Sequence, residues 1–151
     1  MKGRGKVGFL DGIDICASAL TAQRLRMDVI SNNIANATTT RTENGGPYRR
    51  QVVVFEERNS SGKDFKELLQ EQLEGYGGVR VKAVQEDSSP FRKVYDPTNP
   101  EAGEDGYVSY PNVNVVTEMV DLISSSRSFE TSVTAMNSIK GMALKALEIG
   151  R

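Results

Sequence analysis

The chain of 151 residues has no histidine, no tryptophan and one cysteine, Cys16. Without histidine it lacks the usual general base of serine and cysteine hydrolases and the commonest zinc ligand. No catalytic residue, cofactor or metal ligand is therefore expected. A lone cysteine cannot close an internal disulfide, and its place on the apolar side of a predicted helix fits packing rather than reactivity. Long apolar runs are missing too. The longest, VVVF at residues 52–55, falls far short of the roughly 20 residues of a membrane helix, so no direct membrane insertion is expected. Nor is there an excess of charge: 19 basic and 20 acidic residues give a net charge of -1, which argues against a nucleic-acid partner. The opening MKGRGKVGFLDG is basic at Lys2, Arg4 and Lys6, but Asp11 cuts its apolar stretch short of a secretory core. Any export is expected to proceed without a conventional cleaved leader.

What is present is helical periodicity at both ends. From Ile13 onward, Cys16, Leu20, Met27, Ile30, Ile34 and Ala37 recur in steps of three and four, with Gln23 the one polar entry. Asp11 is a candidate N-cap, so a helix over residues 12–37, roughly 39 Å long, should follow a flexible segment 1–11. Near the other end Met119, Leu122, Phe129, Val133, Met136, Ala143 and Leu147 repeat the spacing, broken at Ser126 and Lys140. Asn114 can cap this second helix, Glu118 and Asp121 suit its positive end, and Gly150 can close it within residues 112–151.

Between them, over residues 41–111, the pattern changes to period two. GGPYRRQVVVFEE, GGVRVKAVQED, SPFRKVYDP and GYVSYPN read as four short strands, with a long turn at residues 96–106. DFKELLQEQLEG carries Phe65, Leu68, Leu69 and Leu73 on one side, so a short helix is expected at about 64–74. The expected fold is α+β: long terminal helices forming a coiled-coil-like helical domain, and a small central β-rich domain.

The other motifs are weak. Gly3, Gly5 and Gly8 match G-x-G-x-x-G, but no strand precedes them, so a dinucleotide site is rejected. Asp96, Glu101, Glu104 and Asp105 lack calcium-loop spacing and read as a solvated turn. Arg41, Arg49 and Arg50 could meet a phosphate or an acidic surface, and are read instead as strand-edge charge that discourages aggregation.

The terminal stripes matter more. A body of four short strands spans roughly 20 Å, so helices of about 39 and 50 Å should project beyond it with apolar faces that one partner helix only partly covers. Such surface marks an assembly interface. Its expected residues are Ile13, Leu20, Met27, Ile30 and Ile34 on the first helix and Met119, Leu122, Phe129, Val133, Met136 and Leu147 on the second. Asn32, Asn33 and Asn36, within SNNIANATTT at residues 31–40, lie three and four apart beside this seam. Two readings stand: buried carboxamides that select register among packed helices, or residues of weak propensity that merely end the helix.

SALTAQRLRMDVISNNIANATTTRT at residues 18–42 closely resembles the N-terminal signature of the flagellar rod and hook axial proteins. The run YVSYPNVNVVTEMVDLISSSRSFETSVTAMNSIKGMALKALEIGR from Tyr107, with GPYRRQVVVF and KVYDPTNP, is similar to the proximal-rod branch of that family, so the likeness spans most of the chain. It implies a structural subunit of the bacterial flagellar basal-body rod in the periplasmic space, exported unfolded through the flagellar type III export apparatus. Its partners would be copies of itself, other rod subunits and basal-body proteins, with paired terminal helices around a channel and the β-rich part outward. The family's asparagines fall on Asn32, Asn33 and Asn36, which favours the register-setting reading. The segment 58–77 departs from relatives that carry a short small-residue linker there. The competing expectation is a non-polymerising helical-hairpin adaptor or regulator that binds other proteins.

Overall fold

Phe9–Ala35 forms one helix, α1, in a computed structural model that describes residues 9–43, 45–58 and 77–149. The helix starts ahead of the expected residue 12. Asp11 is therefore not its cap but an acidic residue of its first turn, where it faces the positive end of the helix dipole. The expected short helix at 64–74 lies outside the described residues, as does the basic segment before Phe9. Four strands follow among the described residues: β1 (Gln51–Glu57), β2 (Val79–Glu86), β3 (Arg92–Tyr95) and β4 (Tyr107–Tyr110), and then the 35-residue helix α2 (Val115–Ile149). All four strands fall within the runs expected from alternation. The fold is α+β.

The strands form two ribbons, β1 with β2 and β3 with β4. At the ends of the first, Arg58 N–H donates to Gly78 O and Asp87 N–H to Arg50 O, an antiparallel arrangement. In the second, Arg92 pairs with Tyr110, Lys93 with Ser109, Val94 with Val108 and Tyr95 with Tyr107. The turn between β3 and β4 is closed by Asp96 N–H donating to Gly106 O, while the Asp96 carboxylate accepts from the amide and hydroxyl of Thr98.

The described chain divides into two compact units. The first takes residues 9–24, 55–58, 77–82 and 127–149; the second takes Leu25–Val54 and Ala83–Ser126. In the first unit Gly12 of α1 lies close to Ile139 of α2: a Cβ there would sit 3.2 Å from the Ile139 Cδ1. β2 is tied to α1 by Ser18, whose hydroxyl donates to Ile15 O and accepts from Val79 N–H at 3.1 Å. This approach requires glycine at position 78, which has a φ of 81° and where a side chain would overlap the Ser18 hydroxyl. Arg58 adds an ion pair to Asp14 at 3.5 Å. Gln23 keeps its place as the polar member of the α1 stripe, with its Oε1 buried and without a hydrogen-bond partner among the described residues.

The second unit holds most of the fully buried side chains. Val29 and Ile30 of α1, Val108 of β4 and Pro111 are buried apolar residues of this unit, and Asn33, Glu118 and Ser125, all polar, are buried in it too. Ser125 stays in helix because its hydroxyl donates to Asp121 O one turn back. α2 repeats this device at Thr131, Ser132, Thr134 and Ser138, which lets a serine- and threonine-rich stretch remain helical.

Candidate functional site

The centre of the second unit is a polar latch built on Asn33. Its side chain is 0% exposed, and all four hydrogen-bonding positions of the carboxamide are filled. Nδ2 donates to Gln51 O at 2.8 Å and to Glu118 Oε2 at 3.0 Å. Oδ1 accepts from Gln51 N–H at 2.9 Å and from the Tyr48 hydroxyl at 3.0 Å. One side-chain amide thus pairs with both backbone groups of Gln51, as a neighbouring strand would. Arg50, the preceding residue, turns its own backbone the other way: its N–H donates to Asn112 Oδ1 and its carbonyl accepts from Asp87 N–H. The start of β1 is therefore held on both edges, by β2 and Asn112 on one and by an asparagine of α1 on the other.

Glu118 is the charged member. It is 1% exposed, in the first turn of α2, where Asn114 caps the helix by accepting from Val116 and Thr117 N–H. Its Oε1 accepts from Arg50 Nε at 2.7 Å and its Oε2 from Asn33. A carboxylate this buried is tolerable only when both oxygens are satisfied by such donors. Arg50 also reaches Asp87 at 3.4 Å and Asp121 at 3.8 Å, and Arg26 of α1 lies 3.9 Å from Asp121. Burial works against the Arg50 charge, but the hydrogen bond and charge of Glu118, with those of Asp87, outweigh it and raise the guanidinium pKa. Asp87 is held below the usual carboxylate value by the Ser89 hydroxyl and amide, with Arg50 adding to the effect. Tyr48 is pushed up by burial and by the negative charges of Glu118 and Glu86.

The other two asparagines complete the end of α1. Asn36 Nδ2 donates to Asn32 O and Asn32 Oδ1, Asn36 Oδ1 accepts from the Thr39 hydroxyl, and Asn32 Nδ2 donates to the Tyr48 hydroxyl at 3.3 Å. Asn32 and Asn36 close the helix end, whereas Asn33 is buried and bonded to partners within its own chain.

The expected interface residues are placed unequally. Ile13, Leu20, Phe129, Val133 and Met136 in the first unit, and Met27, Ile34 and Leu122 in the second, are half-buried, and Ile30 is buried. Met119 and Leu147 stand 53% and 72% exposed, outside the buried stripe. That stripe enters α2 through Glu118, Leu122, Ser125 and Phe129, one residue earlier than apolar spacing suggested, because a glutamate paired with Arg50 takes the inward position. The reading of Arg49 and Arg50 as edge charge is corrected. Arg50 is the cation of the latch, and Arg49 stacks 4.3 Å from the centre of the Phe91 ring while donating to Asp87 O. Tyr48, Gln51 and Asn112 were not singled out from sequence. The YRRQ run before the VVVF strand and the PNVN run before α2 were the available signals.

Residues 13–41 match the family model described as flagella basal body rod protein, and residues 104–149 that of the flagellar basal body rod FlgEFG protein C-terminal. A flagellar basal-body rod protein FlgC of Bacillus subtilis (strain 168) is 52% identical over 147 residues, covering 92% of this chain and 96% of the relative. The chain belongs to the FlgC family of flagellar basal-body rod proteins. FlgC proteins of Borreliella burgdorferi and Escherichia coli O6:H1 are 46% and 41% identical, over 95% and 96% of this chain and 98% and 100% of theirs. In this FlgC-family chain the two family matches bracket the latch: Asn33 lies in the first, Asn112 and Glu118 in the second, and Tyr48, Arg50 and Gln51 between them. Among the described residues no helix is long and apolar enough to cross a membrane, and no group of three or more His, Cys, Asp or Glu is placed to hold a metal ion.

Proposed function

We propose that this chain is a structural subunit of the flagellar basal-body rod and that its mechanism is assembly, with no catalytic step. It is built in by burying the apolar surface of its terminal helices against copies of itself and other rod and basal-body subunits. It reaches the periplasmic space through the flagellar type III export apparatus. The observation that carries this reading is the state of the helix ends in a FlgC-family chain: Leu10 at the start of α1 and Leu144, Leu147 and Ile149 at the end of α2 are exposed by half or more. Apolar surface of this kind at the ends of two long helices is what an assembling subunit retains for its neighbours. The latch supports the same reading, since torque transmission calls for a subunit whose two helices are joined by directional bonds rather than by sliding apolar contact alone.

The test is complementation of a strain lacking its own copy of this gene. Leu10→Asp is expected to leave the far-UV circular dichroism of the purified chain unchanged, yet to abolish incorporation into rods and swimming in soft agar. Leu20→Asp and Phe129→Asp are expected to express but likewise fail to enter rods. Normal motility with any of the three would contradict assembly through the terminal helices.

A further inference from the structure

The buried side chains of the second unit come from its two ends. Val29, Ile30 and Asn33 lie on α1, and Val108, Pro111, Glu118 and Ser125 lie on β4, on α2 and between them; none of the described residues from 34 to 107 is buried. The strands β1, β2 and β3 that fill this interval are half-buried at most. A chain that holds only one of the two clusters therefore has nothing to bury it against. Contacts this distant along the chain form late in folding.

The bonds that fix the start of β1 have the same span. Asn33 and Glu118 are 85 positions apart, Arg50 and Glu118 are 68 apart, and Arg50 N–H and its acceptor on Asn112 are 62 apart. Asn112 also donates from Nδ2 to Asp87 O and Ser89 O, so one carboxamide ties the start of β1 to the segment that follows β2. Without Glu118, the Arg50 side chain, 24% exposed in the fold, would enter the unit short of its closest counter-charge. Without Asn112, the Arg50 amide would lose its acceptor. The loops that these bonds close overlap, so the entropy of closure falls mainly on the first to form and the others follow at little further cost.

We propose that Asn112 and Glu118 are the closing elements of the fold: the second unit stays open until both join it, the latch forms in the rate-limiting step, and β1 takes its register on it. A chain made or threaded from either end is thereby kept from closing early, because the two buried clusters sit on opposite sides of residues 34–107. The use of this delay rests on the rod-subunit reading, in which the chain passes an export apparatus before it is built in. The order of closure follows from the bonds themselves.

Refolding of the full-length chain tests this. In stopped-flow far-UV circular dichroism after dilution from urea, Glu118→Gln is expected to slow refolding roughly tenfold and to leave unfolding within about twofold, since bonds present in the rate-limiting step appear in the folding limb. Asn112→Ala should act in the same sense by a smaller factor, and it carries the test should Glu118→Gln fail to fold. Ser18→Ala, which removes the hydroxyl that holds Val79 N–H in the first unit, should instead speed unfolding and leave refolding nearly unchanged. Latch variants that act mainly on unfolding would overturn the proposal, because the latch would then close on a β1 already in place. So would a Ser18→Ala chain that refolds as slowly as the latch variants, or a wild-type chain without cooperative refolding. None of these results bears on rod incorporation, which the complementation of Leu10→Asp decides separately.

Discussion

Replacing Asn33 by alanine removes four hydrogen bonds from one buried point. Three are neutral, to Gln51 O, from Gln51 N–H and from the Tyr48 hydroxyl, and the fourth is to the Glu118 carboxylate. At about 1 kcal/mol for each neutral bond and about 2 kcal/mol for the charged one, the loss totals about 5 kcal/mol. Gln51 and Tyr48 are only half-buried, so entering water recovers part of this, and the expected destabilisation is about 3 kcal/mol. Asn33→Asp should be worse. It keeps both acceptors but loses the donors and sets a second carboxylate against Glu118, whereas a role in packing alone would make this near-isosteric change the milder one. Asn36→Ala, whose bonds lie at the exposed end of α1, should cost less than about 1 kcal/mol. Urea unfolding followed by far-UV circular dichroism reads these differences as shifts of midpoint at constant slope. An Asn33→Ala chain as stable as Asn36→Ala, or Asn33→Asp more stable than Asn33→Ala, would refute the latch. A double-mutant cycle with Glu118→Ala then isolates the Asn33 to Glu118 term, and strict additivity would remove it.

Gly78→Ala should lower the thermal midpoint by an amount corresponding to about 1–3 kcal/mol, because it strains a positive φ and displaces Ser18 from Val79; an unchanged midpoint would show that the approach is not tight. The folded-state pKa of Asp87 is lowered, so its contribution to stability is present above the ordinary carboxylate value and is lost as pH falls through the lowered one. Asp87→Asn should flatten the acid limb of the melting midpoint against pH, and an unaltered limb would count against it. Tyr48 titrates in the opposite sense: its raised pKa gives a contribution present below about 10 and lost as pH rises through the folded-state value. Tyr48→Phe should remove that alkaline component and cost about 1 kcal/mol at neutral pH, which melts from neutrality to alkaline pH would check.

Both long helices and all four strands were legible in the sequence because each carries a period that burial imposes: steps of three and four for Ile13 to Ile34, and alternation in VRVKAVQE. The Asn114 cap was legible for a local reason, since a side chain and the amides two and three residues on suffice to form it. The latch was not. Its members sit at 33, 48–51, 87, 112 and 118, and nothing local to Arg50 indicates that its charge will be buried against a glutamate 68 positions away. A buried glutamate also defeats a reading that equates the inward face with apolar residues, which is why the α2 stripe was expected at Met119 and enters at Glu118. The asparagines were visible as an anomaly. Only the fold separates Asn33, which is bonded inside the chain, from Asn32 and Asn36, which close a helix end.

Why such a junction is polar follows from what an apolar one would leave undetermined. Strand side chains alternate with a period of two, so a slip of one residue in β1 exchanges its two faces. Apolar contact alone resists this poorly in VVVF, where neighbouring residues are nearly equivalent. The latch resists it at three points. A slip would set a different peptide against the Asn33 amide, whose donor and acceptor now meet the carbonyl and N–H of Gln51. It would draw the Arg50 guanidinium away from Glu118, leaving a carboxylate buried and unpaired. It would also separate Asn112 from the Arg50 amide, so the start of β1 would lose both of its covered edges together. These penalties fall on the same displacement, so the bonds act less as a sum of stabilities than as one selection of register, joining the end of α1 to the start of α2 through Gln51 of β1 and the residue before it.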